Sequence, residues 1–197
     1  MSSNLLKEIE AYQNKYYDNN KKNTIFKDVQ KRQVACQVAT NFNTEQLLNT
    51  MCFSVPNTNK VAIDYTVFKL FANPNNYELL TQFILRKFYI SIETYGGFEC
   101  HLNLDGFSVS AAQRYKTMIE IFCTGALSSD TQYSEKIHKF IIYNPTSMIQ
   151  SIAQLFSKFI NPNVREKVTI HDRNTREDWN KISSSRENQT INIVCHE

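Results

Sequence analysis

The chain has 197 residues, 42% of them hydrophobic and 12% aromatic, enough for one domain with a sizeable core and too few for two roomy ones. A formal net charge of +3 is too small to commit the whole chain to nucleic acid or to an anionic surface, so any such role must come from a local patch. Five cysteines (Cys36, Cys52, Cys100, Cys123, Cys195) without C-x-x-C spacing, behind an N-terminus M-S-S-N-L-L-K-E-I-E that lacks a signal-peptide core, predict free thiols in a reducing compartment.

In chain order, Leu5, Ile9 and Tyr12 recur near helical spacing and predict an N-terminal helix over 4–17. Residues 18–33 are polar and basic, a loop or an exposed helix. Asn43-Thr44-Glu45 offers a cap for a short helix through Met51. Residues 61–71 alternate in part, at Val61, Ile63, Tyr65 and Val67, and predict a strand. Asn73-Pro74-Asn75-Asn76 breaks it, and a long helix over 76–94 turns Leu79, Leu80, Phe83, Ile84 and Phe88 toward a core before Gly96-Gly97 ends it. The wider abundance of asparagine is read as compositional bias, not chemistry. A strand over 98–107 and a helix over 108–127 follow, the helix with Tyr115, Met118, Ile119 and Phe122 on one side. Residues 139–143 read as a short strand of the kind buried in a parallel sheet. Beyond His171 the chain is charged. Trp179 is expected as a packing anchor, and the terminal I-N-I-V-C as an edge strand. Strands alternating with helices argue for an α/β sheet with crossover helices.

The segment 146–160 stands out. Met148, Ile149, Ile152, Leu155, Phe156, Phe159 and Ile160 recur at three- and four-residue steps, with Gln150, Gln154, Ser157 and Lys158 on the other side. Fully burying such a stripe is worth on the order of 10 kcal/mol, so something must cover it. Periodicity alone makes this a crossover helix packed on its own sheet, and it does not separate protein core from a bound acyl chain. No apolar stretch of the chain approaches the roughly 20 residues needed to span a bilayer, which predicts a cytoplasmic protein with at most peripheral membrane contact.

Residues 133–170 carry a more specific pattern: Tyr133-Ser134-Glu135-Lys136, Lys139-Phe140, Asn144, Leu155-Phe156, Asn161-Pro162 and Lys167. In order and spacing they resemble the C-terminal half of the CRAL-TRIO lipid-binding domain, as in the yeast-type phosphatidylinositol transfer proteins. Upstream, Leu102-Asn103-Leu104-Asp105-Gly106-Phe107 resembles the family's strand-to-turn element, and before residue 60 no resemblance is found. The resemblance implies a mixed, mostly parallel sheet flanked by helices, with an amphipathic gate helix over a hydrophobic cavity. It implies a lipid-binding domain over 56–197 behind an N-terminal helical and basic segment, 1–55, within a single compact domain. It implies that Ile142, Met148, Ile152, Leu155, Phe156 and Phe159 meet acyl chains, and that Glu135 and Lys167 hold a headgroup. That chemistry is sensible, since an ammonium balances phosphate charge and a carboxylate accepts hydrogen bonds from sugar hydroxyls. Four positions depart from the family pattern: Ser134 for proline, His138 for glycine, Asn103 for aspartate, and Val164 where phosphoinositide binders carry threonine.

The remaining constellations are weaker. Cys100-His101 and Cys123 lack paired ligand spacing for zinc and lie in apolar segments, so no metal, no catalytic residue and no cofactor is expected beyond a bound phospholipid. Lys21-Lys22, Lys27 and Lys31-Arg32 read as a solvated linker, not a nucleic-acid site. Arg165, Lys167, Arg173 and Arg176 could form a basic rim near the gate, although interleaved acids favour a solvated face. The expected function is binding, and transfer between membranes, of a phosphatidylinositol-like phospholipid or other hydrophobic ligand by a non-enzymatic protein that touches membranes transiently. The alternative is a degenerate domain, its cavity filled by side chains, that serves as a scaffold for a protein partner.

Overall fold

The computed structural model describes residues 2–21, 25–129, 131–171 and 175–186. Three helices lead in: α1 (Ser2–Asn20), α2 (Lys27–Asn41) and α3 (Thr44–Met51). A short strand, β1 (Cys52–Ser54), pairs antiparallel with β2 (Lys60–Asp64). From there the sheet is parallel and sequential, through β3 (Phe98–Asn103), β4 (Ile137–Tyr143) and β5 (Val168–Ile170). Parallel neighbours demand crossovers. The first is α4 (Tyr65–Phe71) with α5 (Tyr77–Tyr95). The second is α6 (Val109–Arg114), α7 (Lys116–Phe122) and α8 (Gln132–Lys136). The third is α9 (Ile149–Phe156) with α10 (Pro162–Glu166), and α11 (Arg176–Ser183) closes the described chain. This is the α/β fold expected, with a mixed, mostly parallel sheet flanked by helices. Leu5, Ile9, Val34, Val38, Leu47 and Met51 of the leading helices share one buried cluster with the sheet.

Several boundaries differ from the sequence reading, each for a local reason. The strand expected over 61–71 stops at Asp64. The Asp64 carboxylate accepts hydrogen bonds from the Thr66 backbone N–H at 3.0 Å and from its hydroxyl at 2.7 Å, capping a helix where a strand was expected. The strand expected over 98–107 ends at Asn103, because the chain turns through Gly106 at φ 73°. The helix expected over 108–127 is broken at Tyr115, and a π turn over 123–127 follows α7. Residues 27–41 are helical because Gln30, Val34, Ala35 and Val38 make a buried stripe. Leu79, expected inside, is 46% exposed, whereas Leu80, Ile84 and Phe88 are buried. β1, α8 and α11 went unread, and the edge strand expected over 191–195 lies outside the described residues.

The face of the sheet away from α9 carries an aromatic and polar strip. Trp179 of α11 is buried there against Phe53 and Tyr143, with ring centroids 6.4 and 5.8 Å away, so it is the packing anchor expected. The Tyr143 hydroxyl lies 2.9 Å from Nδ1 of buried His101, whose Nε2 is 3.4 Å from Glu99. Burial holds the His101 imidazole below its ordinary value of 6.5; Lys60 and Lys139 push the same way, and together they outweigh Glu99. The unfolded chain therefore binds more protons than the folded one as pH falls through about 6.5, and stability declines from there downward. Burial alone would raise the Glu99 carboxyl, but the Lys139 ammonium 3.2 Å away holds it below its ordinary 4.5, so its contribution is lost only at lower pH. Urea midpoints should fall between about pH 7 and pH 5, and His101→Gln should flatten that stretch. An unchanged slope in H101Q would refute the assignment.

Candidate functional site

A cavity of about 680 Å³ lies between the sheet and α9. Its floor follows from the parallel register, which sets Ile63 beside Leu102, Leu102 beside Ile142 and Ile142 beside Ile170. Side chains two apart on a strand share a face, so Phe140 and Val168 extend that floor. Ile149, Ile152 and Phe156 of α9 form the roof, and Phe107, Tyr115 and Met118 complete the wall. Burial raises the Tyr65 hydroxyl far above its ordinary range and the Tyr115 hydroxyl above it, so both stay neutral donors inside the lining. Where the cavity meets solvent the lining turns polar: Gln150 and Gln154 of α9, Ser157 just after it, and Arg165 of α10. Among the described residues, Arg165 is the one charged side chain in the lining.

The structure divides the expected acyl-contact residues. Ile142, Ile152 and Phe156 line the cavity. Met148 and Leu155 do not, being 47% and 61% exposed, and half-buried Phe159 packs beside Ala112, Ile152 and Phe156 outside the lining. The reason is geometric. The regular helix spans only Ile149–Phe156, with Met148 as a non-helical N-cap at ψ 12°. Leu155 sits about 100° round the helix from Phe156, past the edge of the inward face.

The expected headgroup residues also sit away from the lining. Glu135 is exposed in α8. Lys167 is half-buried, and its ammonium donates to the Ile137 carbonyl at 2.7 Å while its own carbonyl accepts from Phe140 N–H. Lys167 thus reaches the start of β4, whereas Glu135 stands in the helix before it, and neither side chain lines the cavity. Sequence reasoning placed Gln150 and Gln154 on the far side of the helix. Their four-residue separation was the available signal that they share one edge.

Three departures from the family pattern are compensated locally. Ser134 uses the N–H a proline would lack, donating it to the Thr131 hydroxyl that caps α8 at 3.4 Å, and its own hydroxyl donates to the Thr131 carbonyl at 2.8 Å. His138 has room because Gly97 has no side chain; a Cβ there would stand 2.3 Å from Nε2 of the imidazole and 2.7 Å from the Lys136 carbonyl. Asn103 is buried at the end of β3, where its amide nitrogen donates to Asp64 at 3.0 Å and its amide oxygen accepts from Asn144 at 2.9 Å. An ionised aspartate could not donate to Asp64. Val164, the fourth departure, is the wholly buried residue of α10 and lines the cavity.

A family match agrees with this geometry. Residues 18–186 match the CRAL/TRIO domain. The chain belongs to the CRAL/TRIO domain family. Among solved structures, the crystal structure of Sfh5 aligns with a TM-score of 0.49 and 15% identity, over 70% of this chain and 53% of that one. The chain therefore spans about half the length of that structure. Comparison with curated proteins gives no match. Membership of the CRAL/TRIO family supports lipid binding in general, and no helix of the described residues is long and apolar enough to cross a membrane.

The Asn103 arrangement is open to test. Asn103→Asp places a second buried carboxylate against Asp64 and removes a hydrogen bond to a charged group, so it should cost at least about 2 kcal/mol by urea denaturation at neutral pH. The deficit should shrink toward low pH, where one carboxylate takes a proton. A variant as stable as the parent at pH 7 would contradict this account.

Proposed function

We propose that this CRAL/TRIO domain binds a single phospholipid, with its acyl portion in the cavity behind α9, and passes it between membranes without catalysing a reaction. The carrying observation is the apolar cavity of about 680 Å³ between the row Ile63, Leu102, Ile142, Ile170 and the inner face of α9. Its size falls within the range of about 300–1,000 Å³ typical of small-molecule sites. Water gains little in such a space, because a buried water needs two to four polar partners. The same volume stands against the scaffold reading, in which side chains would fill it.

Other features support transfer at a membrane surface. No side-chain cap holds the N-terminus of α9, and a 3-10 turn over 157–159 follows its end, so few polar ties oppose an outward swing. Exposed Met148 and Leu155 would meet lipid as the helix opens. A cytoplasmic, peripherally associated protein fits this picture, as do the free thiols of Cys36, Cys52, Cys100 and Cys123. A phosphatidylinositol headgroup would call on Glu135 and Lys167, and for that Lys167 must release the Ile137 carbonyl.

Native mass spectrometry after incubation with phosphatidylcholine and phosphatidylinositol vesicles should show one lipid per chain. Ile142→Trp, which fills the cavity floor, should cut that uptake at least about tenfold while leaving the fold intact by circular dichroism. Uptake equal to the parent's would sink the cavity as the binding site.

The absence of catalysis has its own check. Burial pushes the Cys52 and Cys123 thiols up to about 12 and Cys100 well above its ordinary range, so little thiolate is available for attack. Iodoacetamide at about pH 8 should label half-buried Cys36 first among these four, and the other three only on unfolding. Fast labelling of Cys100 or Cys123 in the folded protein would reopen an enzymatic reading.

A further inference from the structure

The lining of the cavity changes character at its mouth, where Gln150, Gln154 and Arg165 are all exposed and all part of the wall. Arg165 follows Val164, the wholly buried residue of α10, so the short helix anchors one residue inside and sets the next at the opening. The Arg165 guanidinium enters no ion pair and no side-chain hydrogen bond among the described residues. Gln150 and Gln154, four apart on α9, point their amides to the same edge of the helix. The Ser157 hydroxyl, also in the lining, already donates to the Gln154 carbonyl at 2.9 Å and has no proton left for a ligand. Among the described residues, the mouth therefore offers one unpaired cation and two amide donors, with no carboxylate in the lining to balance them.

Resting on the cavity reading above, we infer that the site selects amphiphiles with an anionic group, phosphate or carboxylate, and that Arg165 holds that group at the mouth between α9 and α10, assisted by Gln150 and Gln154. A guanidinium presents paired donors that match the oxygens of a phosphate or carboxylate, and the neighbouring apolar wall lowers the local dielectric and strengthens the contact. The arrangement differs from the pair Glu135 and Lys167. The Lys167 ammonium is engaged with a backbone carbonyl and Glu135 lies outside the lining, whereas Arg165 is already on it with its donors open. It also ties ligand to gate, because an anion gripped between α9 and α10 bridges the movable roof to the element that follows it.

The test uses the full chain and three probes: dioleoyl phosphatidic acid, oleic acid and dioleoylglycerol, each carried in phosphatidylcholine vesicles and read by native mass spectrometry. The parent protein should load the phosphate or the carboxylate probe in preference to the neutral one. Whichever of the two loads better tells a phospholipid source from a fatty acid source. Arg165→Gln should lower loading of the anionic probe by about ten- to a hundredfold and leave dioleoylglycerol unchanged, and Arg165→Lys should restore part of the loss. Equal loss of anionic and neutral probes in R165Q, or no loss of either, overturns the inference. Loss of anionic loading in Lys167→Gln but not in R165Q assigns the charge to Lys167 and also overturns it. Failure of the parent to load any lipid, the carrier phosphatidylcholine included, would overturn the cavity reading itself; loading of phosphatidylcholine or dioleoylglycerol without preference for the anionic probes, or loading that is indifferent to Arg165, would overturn the mouth assignment alone.

Discussion

The parallel register of β2 to β5 is the constraint on which the rest depends. Because side chains alternate along a strand, aligning Ile63, Leu102, Ile142 and Ile170 across four strands makes one continuous apolar row, and that row is the cavity floor. The same register puts Ala62, His101 and Ile141 on the opposite face, where α11 covers the sheet through Trp179. A slip of one residue in β3 would put His101 or Asn103 into the cavity and Leu102 under Trp179. The two faces are therefore not interchangeable, and each crossover must deliver its strand in phase. Buried clusters on both faces penalise any other phase.

The ends of the strands are held by polar contacts that lock this phase. Asp64, Asn103 and Asn144 stand at the carboxyl ends of β2, β3 and β4 and form a hydrogen-bonded ladder across the sheet. Asn144 adopts φ 50°, a left-handed conformation that asparagine tolerates better than most residues, and its N–H donates to the Thr175 hydroxyl at 3.0 Å. Arg186 completes the set with a 2.9 Å ion pair to Asp64, and its guanidinium also lies over the Phe53 ring. Both partners of that pair are largely buried. Such pairs add little net stability over an apolar core, yet breaking one by removing a partner costs about 3–5 kcal/mol. The network accordingly acts on specificity. It allows only a tail that brings Thr175 and Arg186 to their places, and so holds Trp179 on the back of the sheet.

What was legible in the sequence, and what was not, follows from the range over which each signal acts. Caps and stops are local, and Asn43 and Gly96 act where they were read; Asn161 caps α10 in the same local way, with Pro162 suited to the first turn of that helix. The boundary at Asp64 was hidden because apolar residues run on both sides of it, and one carboxylate both ends a strand and caps a helix. The stripe over 146–160 was plain, but its width concealed which of its residues face the sheet. Leu155 and Phe156 are adjacent in sequence and alike in chemistry, and only the position of the floor separates exposed from buried. Lys167 was harder still. The family resemblance implied a ligand contact for it, whereas the contact it makes is to a main-chain carbonyl, which has no side-chain signature at all.

These constraints bear on how a roof so apolar could open. Swinging α9 outward exposes Ile149, Ile152 and Phe156, at about 1.5–3 kcal/mol each in water, or roughly 5–9 kcal/mol together. At 1.4 kcal/mol per tenfold, that leaves the open form at roughly one part in a few thousand to one in a few million. A lipid carrier in transit needs this, since a closed roof keeps acyl chains from water. At a bilayer the cost falls, because the residues leaving the cavity can enter an apolar phase, and Leu155 is already exposed at the leading edge. On the proposed function, then, the membrane supplies the differential affinity that shifts α9 toward its open position, as any population shift requires. A helix with fewer inward residues would leak in solution, and one with more would stay shut at the surface. The exposure of Leu155, a failure of burial when read as core packing, is what the gate reading requires of this helix.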